Sequence, residues 1–215
     1  MEFRRVLVRS IDDHIGLTQE QDSLIREALD RHFWWHRTAQ LQGLATILEE
    51  MQQKLNKNIS KKDIAHFYGD IKKNSYVIAH KVTPDIAKLF MSLEASQIEN
   101  VRKRMSQNNE KFVKEWLPKE KSEQVKVRIE KTIQRSEWFF GKLNKDQEEK
   151  IKAHIIANPI DMNLIYQDRL RRQQDLVLVM SEITKKKLNQ KESEALIRSE
   201  EHTSELQSLA YLVCR

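Results

Sequence analysis

The sequence predicts an all-α fold, an elongated helical bundle of seven or eight helices with short connections. Three observations carry this expectation. Glycine and proline are scarce, four and three in 215 residues, whereas sheet proteins spend both freely on turns. Charged residues make up 33% of the chain, mixed in sign among Leu, Ile, Lys, Glu and Gln, a composition of long amphipathic helices. A helix-opening phrase recurs as Leu17-Thr18-Gln19-Glu20-Gln21, and loosely as Leu93-Glu94-Ala95-Ser96-Gln97 and Leu143-Asn144-Lys145-Asp146-Gln147. A Thr or Asn cap accepts from the third helical amide, and a Gln at that third position reaches back to the cap's own amide. Leu17 and Leu143 stand where a hydrophobic staple begins, but Asp22 and Glu148 do not complete it. No segment alternates with the period of two that a strand requires. Helix is expected over roughly three-quarters of residues 1–197, well above the usual third.

The elements follow in order. Residues 3–14 form a first helix with Phe3, Val6, Leu7 and Ile11 on its apolar side, closed by Gly16. Thr18 opens a second helix to about Leu55, with Leu41, Leu44, Leu48, Met51 and Leu55 at steps of three and four, a bundle stripe. Gly43 inside it marks a kink or a close helix contact. Lys57-Asn58 turns the chain, and Ser60 with Asp63 opens a third helix striped by Ile64, Phe67, Ile71, Ile78 and Val82. Thr83-Pro84 reads as a cap followed by proline at the first helical position, starting a short helix, Asp85 to Ser92. A fifth helix runs from Glu94 to Trp116 on Ile98, Val101, Met105 and Phe112, and Pro118 interrupts it. A sixth, from Lys119 to Phe140, uses Val125, Ile129, Ile133, Ser136 and Phe140, and Gly141 closes it. Asn144 opens a seventh that ends near Asn158-Pro159. Asp161 caps a long last helix to about Lys191. No linker divides residues 1–197, which read as a single helical domain.

Residues 198–215 resemble the in-frame translation of a sequencing adapter. Arg198 to Ser208 matches one stretch, and Tyr211 to Arg215 resumes the same frame after an index-sized gap. The segment is therefore read as a non-native tail, with the natural C-terminus missing beyond about Ile197. Leaving out its two Arg and three Glu raises the formal net charge of +6 by one and removes the only cysteine, Cys214. Without a thiol there is no disulfide, zinc-thiolate site or cysteine nucleophile. No stretch approaches the eighteen apolar residues of a membrane span. Arg4, Arg5, Arg9, Asp12 and Asp13 rule out a signal-peptide core in residues 1–16.

Candidate sites are few. His32 and His36 lie one turn apart, close enough on a helix to share a metal. A third ligand is not evident, and the plainer reading is two histidines flanking an aromatic packing cluster. Trp34, Trp35, Trp116, Trp138, Phe139 and Phe140 either anchor helix crossings or line a groove for apolar segments of other proteins. Trp35 is expected to be more buried than Trp34, because it falls three before Thr38 and six before Leu41. Leu176 to Met180 reads as a helix segment buried on several sides, or as an oligomer contact. Basic clusters occur at Arg169, Arg171 and Arg172, at Lys185 to Lys187, and at Arg102 to Arg104. Such groups can hold phosphates, but Asp168, Asp175 and Glu182 are mixed among them, and no nucleic-acid motif accompanies them. No phosphate loop, nucleophile elbow or triad is present, and no cofactor is expected.

The order of phrases resembles a family of uncharacterised, all-helical proteobacterial lipoproteins. The matching pieces are Ile11 to Gln21, Trp35-His36-Arg37-Thr38, Leu93 to Arg104, Asn108 to Phe112 and Trp138 to Gln147, within residues 3–190. The phrase Leu17-Thr18-x-x-Gln21 is also similar, more weakly, to that of LTxxQ periplasmic chaperones. The lipoprotein resemblance implies an export segment ending in a lipidated cysteine ahead of Met1, and a periplasmic, membrane-tethered protein. The expected function is a non-enzymatic, envelope-associated binding or scaffolding module, chaperone-like in character. Its expected partners are unfolded or envelope proteins, or an anionic membrane surface, with no specific nucleic acid. The alternative is a cytosolic helical adaptor or nucleic-acid-associated protein.

Overall fold

Helix starts are where the local chemistry of the chain is plainest. In the computed structural model, which describes residues 2–55, 59–117 and 120–201, Thr18, Ser60 and Asn144 each close a capping box. The structure describes only the backbone of residues 2, 3, 55, 139, 200 and 201. The chain is 89% helical without strands among the described residues. Among the described residues nine α-helices follow one another: α1 (Glu2–Ile15), α2 (Gln19–Trp35), α3 (Leu41–Leu55), α4 (Lys61–Met91), α5 (Ala95–Trp116), α6 (Lys121–Phe140), α7 (Lys145–Ala157), α8 (Met162–Lys186) and α9 (Gln190–Glu201). A π-helical turn, His36–Gln40, joins α2 to α3 without a break. Taken as one helix, α2 and α3 match the long second helix expected from the sequence. The turn at Lys57-Asn58, Pro118, and residues 202–215 lie outside the described residues.

Three expectations change. Thr83-Pro84 does not start a helix, because α4 runs through it to Met91. Proline removes one ladder hydrogen bond, but Thr83, fully buried, turns its hydroxyl to the Ala79 carbonyl at 2.8 Å. Gln190 of α9 donates to the Pro84 carbonyl at 2.8 Å, and Ala87 packs with no exposed surface. Packing between α4 and α9 thus holds the helix through the proline. Secondly, Gly43 marks no close helix contact: a Cβ there would meet nothing within 4 Å. The irregularity lies upstream, where the Leu41 amide bonds the His36 carbonyl five residues back. Thirdly, the last long helix stops at Lys186. Lys187 adopts φ 49°, and the Leu188 amide bonds Ile183 O at 3.2 Å, a left-handed stop. Asn189 and Glu192 then form a capping box that opens α9.

Contacts cluster into two units, residues 1–102 with 174–215, and residues 103–173. The first unit has its core in Leu7, Val8, Ile15, Ile25, Ala28, Phe90, Leu93, Ile98, Val101, Val177, Val179, Met180, Ile183 and Ile197. At its centre the first two recurring phrases meet. Gln21 and Gln97 bond each other's side-chain amides reciprocally, at 3.0 and 2.7 Å. Each oxygen also accepts from its own cap amide, Thr18 or Glu94, at 3.0 Å. Each nitrogen donates to the carbonyl ahead of the other phrase: Gln21 to Ser92 at 2.8 Å and Gln97 to Gly16 at 2.7 Å. Two helix starts are thereby locked together by a buried, fully engaged amide pair. The third phrase, at Asn144, caps α7 on the surface and pairs with nothing similar.

The second unit packs Phe112 against Tyr166 in a stacked pair with centroids 5.7 Å apart. Buried Asn109 bridges Arg169 and Gln173 of α8. The expected α5 stripe is buried along its length, at Ile98, Val101, Met105 and Phe112. In α8, Val177, Val179 and Met180 are buried as expected, whereas Leu178 faces out.

Candidate functional site

α2, the π turn and α3 run antiparallel to α4, and a ladder of side chains joins them. Lys54 pairs with Asp63 at 3.0 Å, Gln40 donates to the Asn74 carbonyl at 3.5 Å, and Lys81 lies 5.7 Å over the Trp35 ring. Asp85 takes Arg31 and His32, each at 2.9 Å. Positions rise on one side of the ladder as they fall on the other. Ser60, through its hydroxyl and then its amide, together with Lys54, holds the Asp63 carboxyl well below the usual carboxylate range.

This ladder places the aromatic and histidine candidates. Trp35 is half-buried under Lys81, and Trp34 is 69% exposed, as its position on the stripe predicts. Trp34 borders an open groove with Glu27, Arg31, Lys81, Asp85 and Lys88. His32 turns to Asp85, and His36 bonds Gln40 within the π turn. Among the described residues no three His, Cys, Asp or Glu side chains converge on a metal position. Arg169, Arg171 and Arg172 belong to the other unit. Arg169 bonds Asn109 and lies 5.6 Å over the Phe112 ring, while Arg171 and Arg172 both bond Asp168. Arg172, then Arg171, holds the Asp168 carboxyl below its ordinary value. These arginines therefore serve contacts within their own unit.

The α3–α4 pair has a feature that the sequence stripes conceal. Gln40 at the end of the π turn and Leu44, Ile47 and Met51 of α3, with Asp63, Phe67, Asp70 and Asn74 of α4, are the buried or half-buried positions. Leu41 and Leu48, expected in the buried stripe, are exposed, as are Ile64, Ile71 and Ile78. Leu41, Leu48, Ile64 and Ile71 each follow an inward neighbour by one residue, or 100° around the helix. In antiparallel helices that step turns toward the same side of the pair. One face of the hairpin thus carries Leu41, Ala45, Leu48 and Gln52 from α3 and Ile64, Tyr68, Ile71, Ser75 and Ile78 from α4. Its six large apolar side chains are 39–67% exposed. None of these positions is charged, in a chain that is 33% charged. Charge depletion of this kind marks the centre of contact surfaces rather than open protein surface.

A family model matches the chain over residues 13–205, a family of unknown function. The match and α9 both run past Ile197, into the segment that resembles an adapter. No curated protein and no solved structure matches the chain.

Proposed function

This chain belongs to the family of unknown function DUF6279, and we propose that it is a non-enzymatic, envelope-associated binding module that holds apolar segments of other polypeptides on its α3–α4 face. The observation that carries this reading is the uncharged apolar face. A folded partner of opposite charge would call for a charged rim, whereas a client of varied sequence calls for apolar surface that any exposed Leu, Ile or Phe can use. Tyr68 adds a rigid amphipathic contact. The resemblance to envelope lipoproteins and to LTxxQ chaperones supports a periplasmic, membrane-tethered setting. No described helix is long and apolar enough to cross a membrane, and in this reading the tether is the lipidated cysteine that the resemblance implies. Purified protein should suppress aggregation of an unfolded client at near-stoichiometric ratio without nucleotide. L48E with I71K should abolish that suppression and leave the circular dichroism unchanged, since both side chains are exposed. Equal suppression by the double variant, or none by the parent, would refute the proposal. Tight, steeply salt-dependent binding to nucleic acid would favour a nucleic-acid-associated protein instead.

A further inference from the structure

The two most exposed large apolar side chains among the described residues are in the second unit. Phe140 is 83% exposed and Trp138 is 79% exposed, at the C-terminal end of α6. Gly141, at φ 77°, ends the helix there, its amide bonding the Glu137 carbonyl at 2.9 Å. The Glu137 carboxylate accepts the Leu143 amide at 3.3 Å. Asn144 and Gln147 then close the capping box of α7. The turn is thus held by side chains on both flanks, and it presents its aromatics from a fixed backbone. Arg135, one turn before Trp138, is exposed, as are Lys142 and Lys145 just beyond Phe140. Glu137, the one acid between Arg135 and Lys145, is half-buried and turned into the loop. Asp146 and Glu148 stand in the first turn of α7.

We infer that the α6–α7 turn is a membrane-contact tip, in which Trp138 and Phe140 enter the interface of an anionic phospholipid bilayer while Arg135, Lys142 and Lys145 bind its headgroups. Aromatic rings with long basic side chains around them suit that boundary, where one end of each group is apolar and the other wet. Basic residues near an anionic leaflet are attracted through its surface potential. A site for nucleic acid would need basic residues spaced along a phosphate backbone, and these are gathered at a single turn. The inference stands apart from the α3–α4 face, which lies in the other unit.

The test is sedimentation of the full chain with phosphatidylcholine vesicles made with and without phosphatidylglycerol. Binding is expected to the anionic vesicles alone and to weaken with salt. W138S with F140S should lower the affinity by about tenfold or more for each aromatic lost. K142Q and K145Q should each lower it roughly fivefold. L48E with I71K should leave it unchanged. Lipids brominated in the acyl chain should quench part of the tryptophan emission, and W138F should keep binding but lose that quenching. Absence of binding to anionic vesicles, indifference to W138S with F140S, loss through L48E with I71K, or quenching that survives W138F would each overturn the inference.

Discussion

Changing Gln21 to Ala cuts several bonds at one point of the first unit. The Thr18 amide and the Ser92 carbonyl lose a partner, and the reciprocal pair with Gln97 is broken. Gln97 keeps Gly16 O and the Glu94 amide. At about 1 kcal/mol for each of these four bonds, the expected loss is about 4 kcal/mol. Gln97→Ala should cost about the same, because the two sites repeat each other's geometry. The double variant should lose less than the sum by about 1–2 kcal/mol, since both single changes remove the shared pair. Urea unfolding followed by circular dichroism measures all three. Ser60→Ala in the same unit, a surface cap with no deep partner, is the control at about 1 kcal/mol. If Gln21→Ala were no worse than Ser60→Ala, or if the two Gln changes were additive, the buried pair would contribute nothing beyond two ordinary caps.

Three further outcomes can be checked with the same assay. Gly69→Ala, where a Cβ meets nothing within 4 Å, should stabilise by about 1 kcal/mol through helix propensity, whereas Gly16→Ala should destabilise, because φ is +73° and its Cβ would stand 3.1 Å from Asn100 Nδ2. Asp63 has a folded-state pKa held below its unfolded value; its contribution is complete above the unfolded value near 4 and is lost as the pH falls through the folded value. The stability gap between the parent and Asp63→Asn should therefore narrow on acidification below pH 4, and a gap that stayed constant would contradict the assignment.

What the sequence made legible was chemistry within a few residues. The boxes at Thr18, Ser60 and Asn144 are complete in any helix that starts there, so their residues announce them. The box at Asn189 and Glu192 is written in the same way, at the place where the sequence reading ends its last helix. Pro84 misled because its local meaning is a helix start, while its actual setting is decided by Gln190 and Ala87, contacts far away in the chain. The Gln21–Gln97 pair was half legible: each Gln was recognised as a cap partner, but nothing local says that the same two amides bond each other. The candidate site divides in the same manner. Trp35 under cover and Trp34 in the open follow from helical spacing. Leu41, Leu48, Ile64 and Ile71 were visible as stripes, but a stripe does not say whether another helix of the chain covers it. The acid mixed among the arginines of α8, Asp168, is visible in the sequence, whereas the bond of Arg169 to Asn109, sixty residues away, is not.

The π turn between α2 and α3 gives the apolar face of the hairpin a simple origin in counting. A π turn holds one residue more than an α turn. Removing a single residue from His36–Gln40 would restore a regular helix and hand every later position of α3 to its successor. Leu41 and Leu48 would then take the inward places of Gln40 and Ile47 against α4. Gln42, Thr46, Glu49 and Gln53 would take over the outer face, which would become polar and charged. The leucines that an uninterrupted helix would hide are thus turned outward by one extra residue, and the same amino acids, one step out of phase, would make an ordinary water-facing hairpin.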